Sequence, residues 1–280
     1  MAEPYSVAQV QRLVELNAGG QITGREFSTA GERDAAFKEA EQQLVRENKE
    51  KLAALVKEKH LPLALKTEGA LSEWLTTRAG FTRVATPIII TAEQLDKMTI
   101  GEDHPLRSQV FWLDRKRCLR PMLAPNLYIV MRDMYKILKE PVRIFEAGSC
   151  FRKESQGAQH MNEFTMLNLV EMAGVEDGGQ LNRLKELATG AMEAAGIDKY
   201  ELVTESSEVY GWTLDIEVDG LEVASGAYGP LPMDSQWEVF EPWVGLGLGI
   251  ERIAMIKGQY QTIKRAGKSI VYVDGVPLKL

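Results

Sequence analysis

Cysteine and histidine are scarce in this chain. Two cysteines, Cys118 and Cys150, and three histidines, His60, His104 and His160, stand among 280 residues, with no CxxC or HxxxH spacing. That scarcity argues against a zinc site, and free thiols suit a reducing compartment. Long apolar runs are missing too. None approaches the roughly 20 residues that a membrane-spanning helix needs, and the opening MAEPYSVAQVQ has neither the basic nor the apolar region of a signal peptide. No membrane partner and a cytoplasmic location are therefore expected. An excess of positive charge is also lacking. The net charge is −7, so any nucleic-acid surface has to gather its basic residues on one side of an otherwise acidic molecule.

What is present is apolar bulk in regular patterns. A composition that is 45% hydrophobic can bury a large core without staples at this length. Val7, Val10, Leu13 and Val14 fall at helical spacing between Ser6 and Leu16. Thr29 and Glu32 then form a capping-box pattern that opens a long charged helix to about Val56. Its narrow stripe, Phe37, Ala40, Leu44, Leu52 and Leu55, runs between many charges. Those charges suit a solvated face, or an RNA-facing one built from Arg46, Lys49, Lys51, Lys57 and Lys59. A break at residues 60–63 separates this helical amino-terminal arm, residues 1–60, from a main domain, residues 61–280.

Within the main domain, Leu65 to Thr77 reads as an amphipathic helix closed by Gly80. Phe81 to Ile90 reads as a strand that Pro87 confines to an edge or a kink, and its end, Ile88-Ile89-Ile90, is a natural dimer surface. Val110–Leu113 and Cys118–Met122 are expected to pair around the turn between them, and Pro125 to open a helix. That helix carries Ala124, Leu127, Tyr128 and Met131 along one side, the pattern of ordinary core packing.

The central stretch is a hairpin, Val142–Phe151 and Phe164–Met172, around a polar loop. Alternation puts Phe164, Met166, Asn168 and Val170 on one face. An aromatic, a thioether, an amide and an aliphatic in a row suit an elongated ligand, or simply the inner face of any half-buried strand. A helix over Gln180–Ala195 follows, then strands over Tyr200–Val203 and Tyr210–Val218, a tight turn at Asp219-Gly220 and a return strand over Leu221–Ala227. Glu222 and Ser225 lie three apart, on opposite faces of a flat strand. If both serve one site, a bulge is required, expected near Gly226. The last strand, WVGLGLG, runs into a helix bearing Arg252. Its glycines lack the GxGxxG spacing of a dinucleotide fold, and they leave one strand face bare for a ligand to lie against.

Arg152-Lys153-Glu154, Phe164, Glu222, Ser225, the alternating glycines and Arg252 resemble, in this order, the second and third signature motifs of class II aminoacyl-tRNA synthetases. The strand with Pro87 resembles the first. More narrowly, LRPMLAPNLY, FRKES, EFTMLN, VYG, EVASGA and PWVGLGLGIER resemble the pyrrolysyl-tRNA synthetase family, in particular its bacterial type, a catalytic subunit encoded apart from a small tRNA-binding partner. The likeness runs from about Gly80 to the carboxyl terminus and continues faintly through GREFSTAGERDAAF in the arm, which resembles the family's tRNA-contacting helices.

The resemblance implies an α+β class II catalytic fold, an antiparallel sheet flanked by helices, acting as a homodimer on ATP, Mg2+, pyrrolysine and its tRNA. It implies that Arg152 binds the α-phosphate, and that Glu154 and His160 seat the nucleotide, with Met161, Met166 and Val223 beside it. Phe164 and Arg252 would sandwich the adenine, while Glu222 and Ser225 would hold magnesium. Arg152, Glu154 and Arg252 are the implied catalytic groups. The implied amino-acid pocket takes Met122 and, from the helix that follows, Ala124, Leu127, Tyr128 and Met131. The strands add Asn168, Val170, Tyr210, Ala227, Trp243 and Gly245. Ala124 and Gly245 leave room for a long lysine-like side chain, and Asn168 can hydrogen-bond an amide carbonyl near its end. Val170, Met131 and the pair Ala227-Tyr228 depart from the commoner archaeal pattern, which leaves the accepted side chain open. Two rival readings remain: a class II enzyme for an aromatic or phosphorylated amino acid, and a non-catalytic paralogue.

Overall fold

The computed structural model describes residues 2–153, 157 and 159–280. The chain forms two compact units, Met1–Pro62 with Ser269–Leu280, and Leu63–Lys268. The first opens with β1 (Glu3–Pro4), α1 (Val7–Glu15), α2 (Gly20–Thr23), β2 (Glu26–Phe27) and α3 (Ala30–Lys57). Ser6 and Gln9 form a reciprocal capping box that starts α1. At α3 the Thr29 hydroxyl accepts from the Glu32 backbone, and Glu32 reaches back to the Ser28 N–H at 3.1 Å. Leu13, Leu16 and Leu44 join Tyr5 and Phe27 in a small core. Asn48, 1% exposed, lies inside α3 and ties it to α1 by donating to the Leu16 carbonyl at 2.8 Å.

The second unit comprises α4 (Leu63–Thr77), β3 (Thr82–Arg83), β4 (Ile89–Thr91), α5 (Ala92–Lys97), α6 (Pro105–Ser108), β5 (Arg117–Leu119), α7 (Ala124–Leu138), β6 (Val142–Phe151) and β7 (Glu163–Met172). It continues with α8 (Gln180–Ala195), β8 (Glu201–Ser207), β9 (Gly211–Val218), β10 (Leu221–Gly229), a 3-10 turn Pro232–Trp237, β11 (Trp243–Gly249), α9 (Ile250–Lys257) and α10 (Ile263–Ala266). The chain closes with β12 (Tyr272–Val273) and β13 (Val276–Pro277) in the first unit. The division expected from sequence kept all of residues 61–280 together. The tail instead joins the helical unit because Asn17 donates to the Gly275 carbonyl (3.0 Å), Arg12 donates to the Lys279 carbonyl (3.2 Å) and Leu280 packs on that unit's core.

Among the described residues the main sheet has seven strands in the order β3-β6-β7-β11-β10-β9-β8. The sheet is antiparallel, as expected, except at one edge, where β3 pairs with β6 in parallel. That pairing is open to β3 because the long connection through α7 supplies the crossover that parallel neighbours need. The strand expected over Phe81–Ile90 is divided: β3 joins the main sheet, and β4 pairs with β5 in a separate ladder. Pro87, which has no N–H to give a ladder, sits in the gap. Beside it Thr86 donates from its backbone (3.1 Å) and hydroxyl (2.6 Å) to Glu146, which also pairs with buried Arg120 at 2.7 Å. Thus a side-chain network replaces the ladder there. The hairpin expected over 110–122 is reduced to a single bridge, Trp112 to Cys118, while the opposite edge of β5 pairs with β4. Both cysteines are buried free thiols, and burial pushes Cys118 up to about 11 and Cys150 up to about 12, so neither is an activated nucleophile.

Alternation along the central strands assigns the two faces. Leu167 and Leu169 of β7, with Val244, Leu246 and Leu248 of β11, meet α4 and α8 through Leu71, Leu75, Leu184 and Leu187. Each leucine buried this fully stabilises the fold by about 1.5–3 kcal/mol. The intervening residues, Asn168 and Val170 on β7 and Gly245 and Gly247 on β11, face the other way and become the floor of a cavity.

Candidate active site

The cavity has a volume of about 590 Å³ and lies wholly in the second unit. Arg152, His160, Met161, Phe164, Met166, Glu222, Val223, Ser225 and Arg252, all expected around a nucleotide, line it. So do Met122, Ala124, Leu127, Tyr128, Met131, Asn168, Val170, Tyr210, Ala227, Trp243 and Gly245. Glu154 lies outside the described residues, and Tyr228, 40% exposed, is not part of the lining. The cavity has a charged half and an apolar half.

In the charged half, Arg152 follows the last residue of β6. Its Nε donates to the Pro121 carbonyl at 2.9 Å, which holds the guanidinium 5.3 Å from the centre of the Phe164 ring. Arg252, in the first turn of α9, donates from Nη1 to the Glu222 carbonyl (2.8 Å) and carboxylate (3.2 Å). Loss of water raises the Glu222 pKa, Arg252 pulls it down, Asp215 pushes it up and Arg152 pulls it down. Guanidinium groups 100 residues apart in sequence thus bear on one carboxylate.

Glu222 and Ser225 do reach the same cavity, and the strand is irregular as required, but not where expected. The β9–β10 register shifts between Glu222 and Ala224, so Val223 is the extra residue. Gly226 stays in register opposite Leu214 and Leu246. Its missing side chain serves packing instead, because a Cβ there would stand 2.7 Å from Leu184 of α8. Ser225 donates its hydroxyl proton to Asp215 at 2.6 Å, which leaves the lone pairs of its oxygen for another partner. A carboxylate and a hydroxyl backed by a second carboxylate form the hard, all-oxygen set that suits Mg2+. Among the described residues no group of three or more His, Cys, Asp or Glu could hold a metal by itself. The set therefore fits a cation that takes its remaining ligands from phosphate and water. Glu251 is 2% exposed, accepts the Thr165 N–H on both oxygens (2.9 and 2.8 Å), and has its pKa raised by burial.

The apolar half lies between α7 and the floor strands. Asn168 is its chief polar group, and the buried Oδ1 has no hydrogen-bond partner among the described residues. A buried amide oxygen left unmatched is costly unless a ligand supplies the donor. Gly247 makes room for it, since a Cβ there would stand 3.1 Å from Nδ2 and 3.2 Å from Oδ1. At Gly245 a Cβ would meet the Trp243 ring at 3.3 Å. Tyr128 and Trp243 meet edge to face, ring centres 5.7 Å apart. Tyr210, in the β8–β9 turn, has its hydroxyl pKa pushed well up by burial.

Sequence reasoning missed Asp215, Glu251 and, at the rim, His104 and Glu208, which are 3.6 Å apart. Asp215 was within reach: counting back from the Asp219-Gly220 turn puts it opposite Ser225 once one extra residue is allowed. No local pattern marks His104.

The fold and this arrangement define a class II synthetase core. A family model described as tRNA synthetases class II core domain (F) matches residues 48–271, and the chain belongs to that family. Its solved neighbours include a crystal structure of pyrrolysyl-tRNA synthetase from Desulfitobacterium hafniense, 51% identical, with a TM-score of 0.92 and full coverage of both chains. A second structure of a pyrrolysyl-tRNA synthetase from that organism is also 51% identical, with a TM-score of 0.90 over 100% of this chain and 99% of that one. The likeness, read from Gly80 onward and more faintly through the arm, thus extends over the whole chain. Among curated proteins, an O-phosphoserine--tRNA(Cys) ligase of Methanococcus maripaludis is 24% identical over 58% of this chain and 34% of its own length. The corresponding ligase of Methanocorpusculum labreanum is 28% identical over 55% of this chain and 31% of its own. The chain thus spans about a third of the length of these curated relatives.

Proposed function

We propose that this protein is a pyrrolysine–tRNA ligase: it joins pyrrolysine to AMP from ATP and then transfers the aminoacyl group to the 3′ end of its tRNA. The observation that carries this reading is one cavity with a doubly guanidinium-lined charged half and, beside it, an apolar half with an unmatched amide oxygen. In the first step a substrate carboxylate oxygen bonds to the α-phosphorus and the bond to the β-phosphate oxygen breaks, releasing pyrophosphate. No general base is needed, because the attacking carboxylate is already ionised at neutral pH. Alignment and cancellation of phosphate charge are needed, and Arg152 and Arg252 supply both. Arginine suits bidentate phosphate contacts better than lysine. Phe164 offers the adenine a flat face. Magnesium, held through Glu222 and Ser225, would screen the phosphates. In the second step a hydroxyl of the terminal ribose attacks the adenylate carbonyl, and AMP leaves.

Asn168 selects a side chain that carries an amide, since a substrate without one leaves Oδ1 unmatched. An O-phosphoserine reading, which the curated relatives would suggest, lacks support in the apolar half, whose residues Met122, Leu127, Met131, Val170 and Trp243 carry no cation for a phosphate. The helical unit is taken to contact tRNA, together with a separately encoded tRNA-binding subunit. Ile88 and Ile89, 43% and 49% exposed beside Pro87, suit a homodimer contact. No helix among the described residues is long and apolar enough to cross a membrane, and we place the reaction in the cytoplasm. The test is ATP–pyrophosphate exchange with pyrrolysine, phenylalanine and O-phosphoserine, followed by acylation of the pyrrolysine tRNA. Exchange with pyrrolysine alone is expected. Exchange driven by either other amino acid, or by none, would overturn the assignment.

A further inference from the structure

Asp234 lies in the 3-10 turn Pro232–Trp237, outside every motif read from the sequence, and is 1% exposed. Its partners are neutral donors. Oδ1 accepts the Tyr128 hydroxyl at 2.7 Å, and Oδ2 accepts the Trp243 indole N–H at 2.7 Å and the Leu231 backbone N–H at 2.6 Å. Tyr128 belongs to α7 and Trp243 to β11, so this one carboxylate ties the helical wall of the apolar half to its strand floor. The space around it is full: a Cβ at Gly229 would lie 2.0 Å from the Trp243 nitrogen and 2.6 Å from Oδ2. Trp237 backs Tyr128 from behind, their rings stacked 5.2 Å apart.

A carboxylate can only accept. It therefore fixes two protons at once: the Tyr128 hydroxyl must donate inward, and the indole can turn only by giving up its bond. We infer that Asp234 is a positioning residue for the amino-acid substrate, a strut that sets the shape of the apolar half and thereby which side chains are held for reaction. This rests on the reading of that half as the amino-acid pocket. Asparagine at this position keeps the size but offers only one acceptor oxygen. If that oxygen serves Trp243 and Leu231, its NH2 faces Tyr128, whose hydroxyl must then accept, and the fixed proton pattern is lost.

The test compares D234N, Y128F and the double variant by pyrophosphate exchange, using whichever amino acid supports exchange by the native enzyme. D234N and Y128F are each expected to raise the amino-acid KM about tenfold, on the order of one lost hydrogen bond, with the ATP KM unchanged. The double variant should lose no more than the worse single one, because both remove the same link. Equal rises in both KM values, a fall in kcat alone, or losses that multiply in the double variant would overturn the strut. Should D234N not fold, Y128F alone decides by the same split, since it leaves the other two Asp234 bonds in place. If the native enzyme exchanges with no amino acid, the functional reading has failed. The strut is then judged by whether the D234N and Y128F losses in thermal stability are non-additive, with additive losses overturning it.

Discussion

In the charged half of the cavity the functional groups hold one another. Arg252 bonds Glu222, Arg152 acts on the same carboxylate, and Ser225 leans on Asp215. In the apolar half the lining side chains are held from behind, Tyr128 and Trp243 by Asp234, while Asn168 keeps an unmatched oxygen. On the proposed function, the first arrangement would rearrange around an arriving triphosphate, with a cation and phosphate taking over the pairing that Glu222 and Arg252 make with each other. The second cannot, because burial and steric fit fix it before any substrate enters. Affinity for nucleotide and selectivity for amino acid should therefore fail independently.

The sharpest test of that independence is Arg152→Ala. Losing the guanidinium should lower the exchange rate by about 10²–10³-fold, the usual scale for removing one charge-stabilising donor, with the unfolding midpoint little moved. Retention of activity within a few-fold would remove this residue from the mechanism. Asn168→Ala should act on the other half, raising the amino-acid KM about tenfold while the ATP KM holds. Equal rises in both would erase the distinction between the halves. Gly247→Ala probes the same amide from beneath: its methyl would crowd Asn168 at 3.1 Å and Met166 at 3.2 Å. It should raise the amino-acid KM several-fold, and add little in the Asn168→Ala background.

The smallest expected effect is on stability. Burial raises the Glu251 pKa in the fold above its ordinary value of 4.5, so the native state binds that proton more tightly than the unfolded chain. The stabilisation is present below the ordinary value and is lost as pH rises through the raised one. Denaturant unfolding of the native protein and Glu251→Gln across that window should show the native curve falling relative to the variant. Parallel curves would mean that this carboxyl does not couple to folding.

Much of this was legible in the sequence because local periodicity decided it. The β6–β7 alternation, the α8 boundaries and the Asp219-Gly220 turn all follow from patterns within a few residues of each other. What was not legible depends on partners far along the chain. Pro87 could be read as a break, yet Arg120 and Glu146, which fill the gap, come from elsewhere in the sequence. The parallel edge pairing and the return of β12–β13 to the first unit likewise turn on tertiary neighbours. Within the cavity, residues carried in recognisable motifs were found together. Glu251 and Asp234 were missed because each acts by supporting another side chain or a backbone amide, and such support leaves no spacing signature, whereas Asp215 is reached by counting from the Asp219-Gly220 turn only once the extra residue of β10 is allowed.

Val223 touches core on one side and has no charge, yet it acts as a spacer of one residue. Were it paired in the ladder as an ordinary residue, every later side chain of β10 would turn to the opposite face, sending the Ser225 hydroxyl toward α8 and bringing its neighbours into the cavity in its place. The phase between two oxygen donors is thus kept by an aliphatic residue whose chemistry neither of them uses.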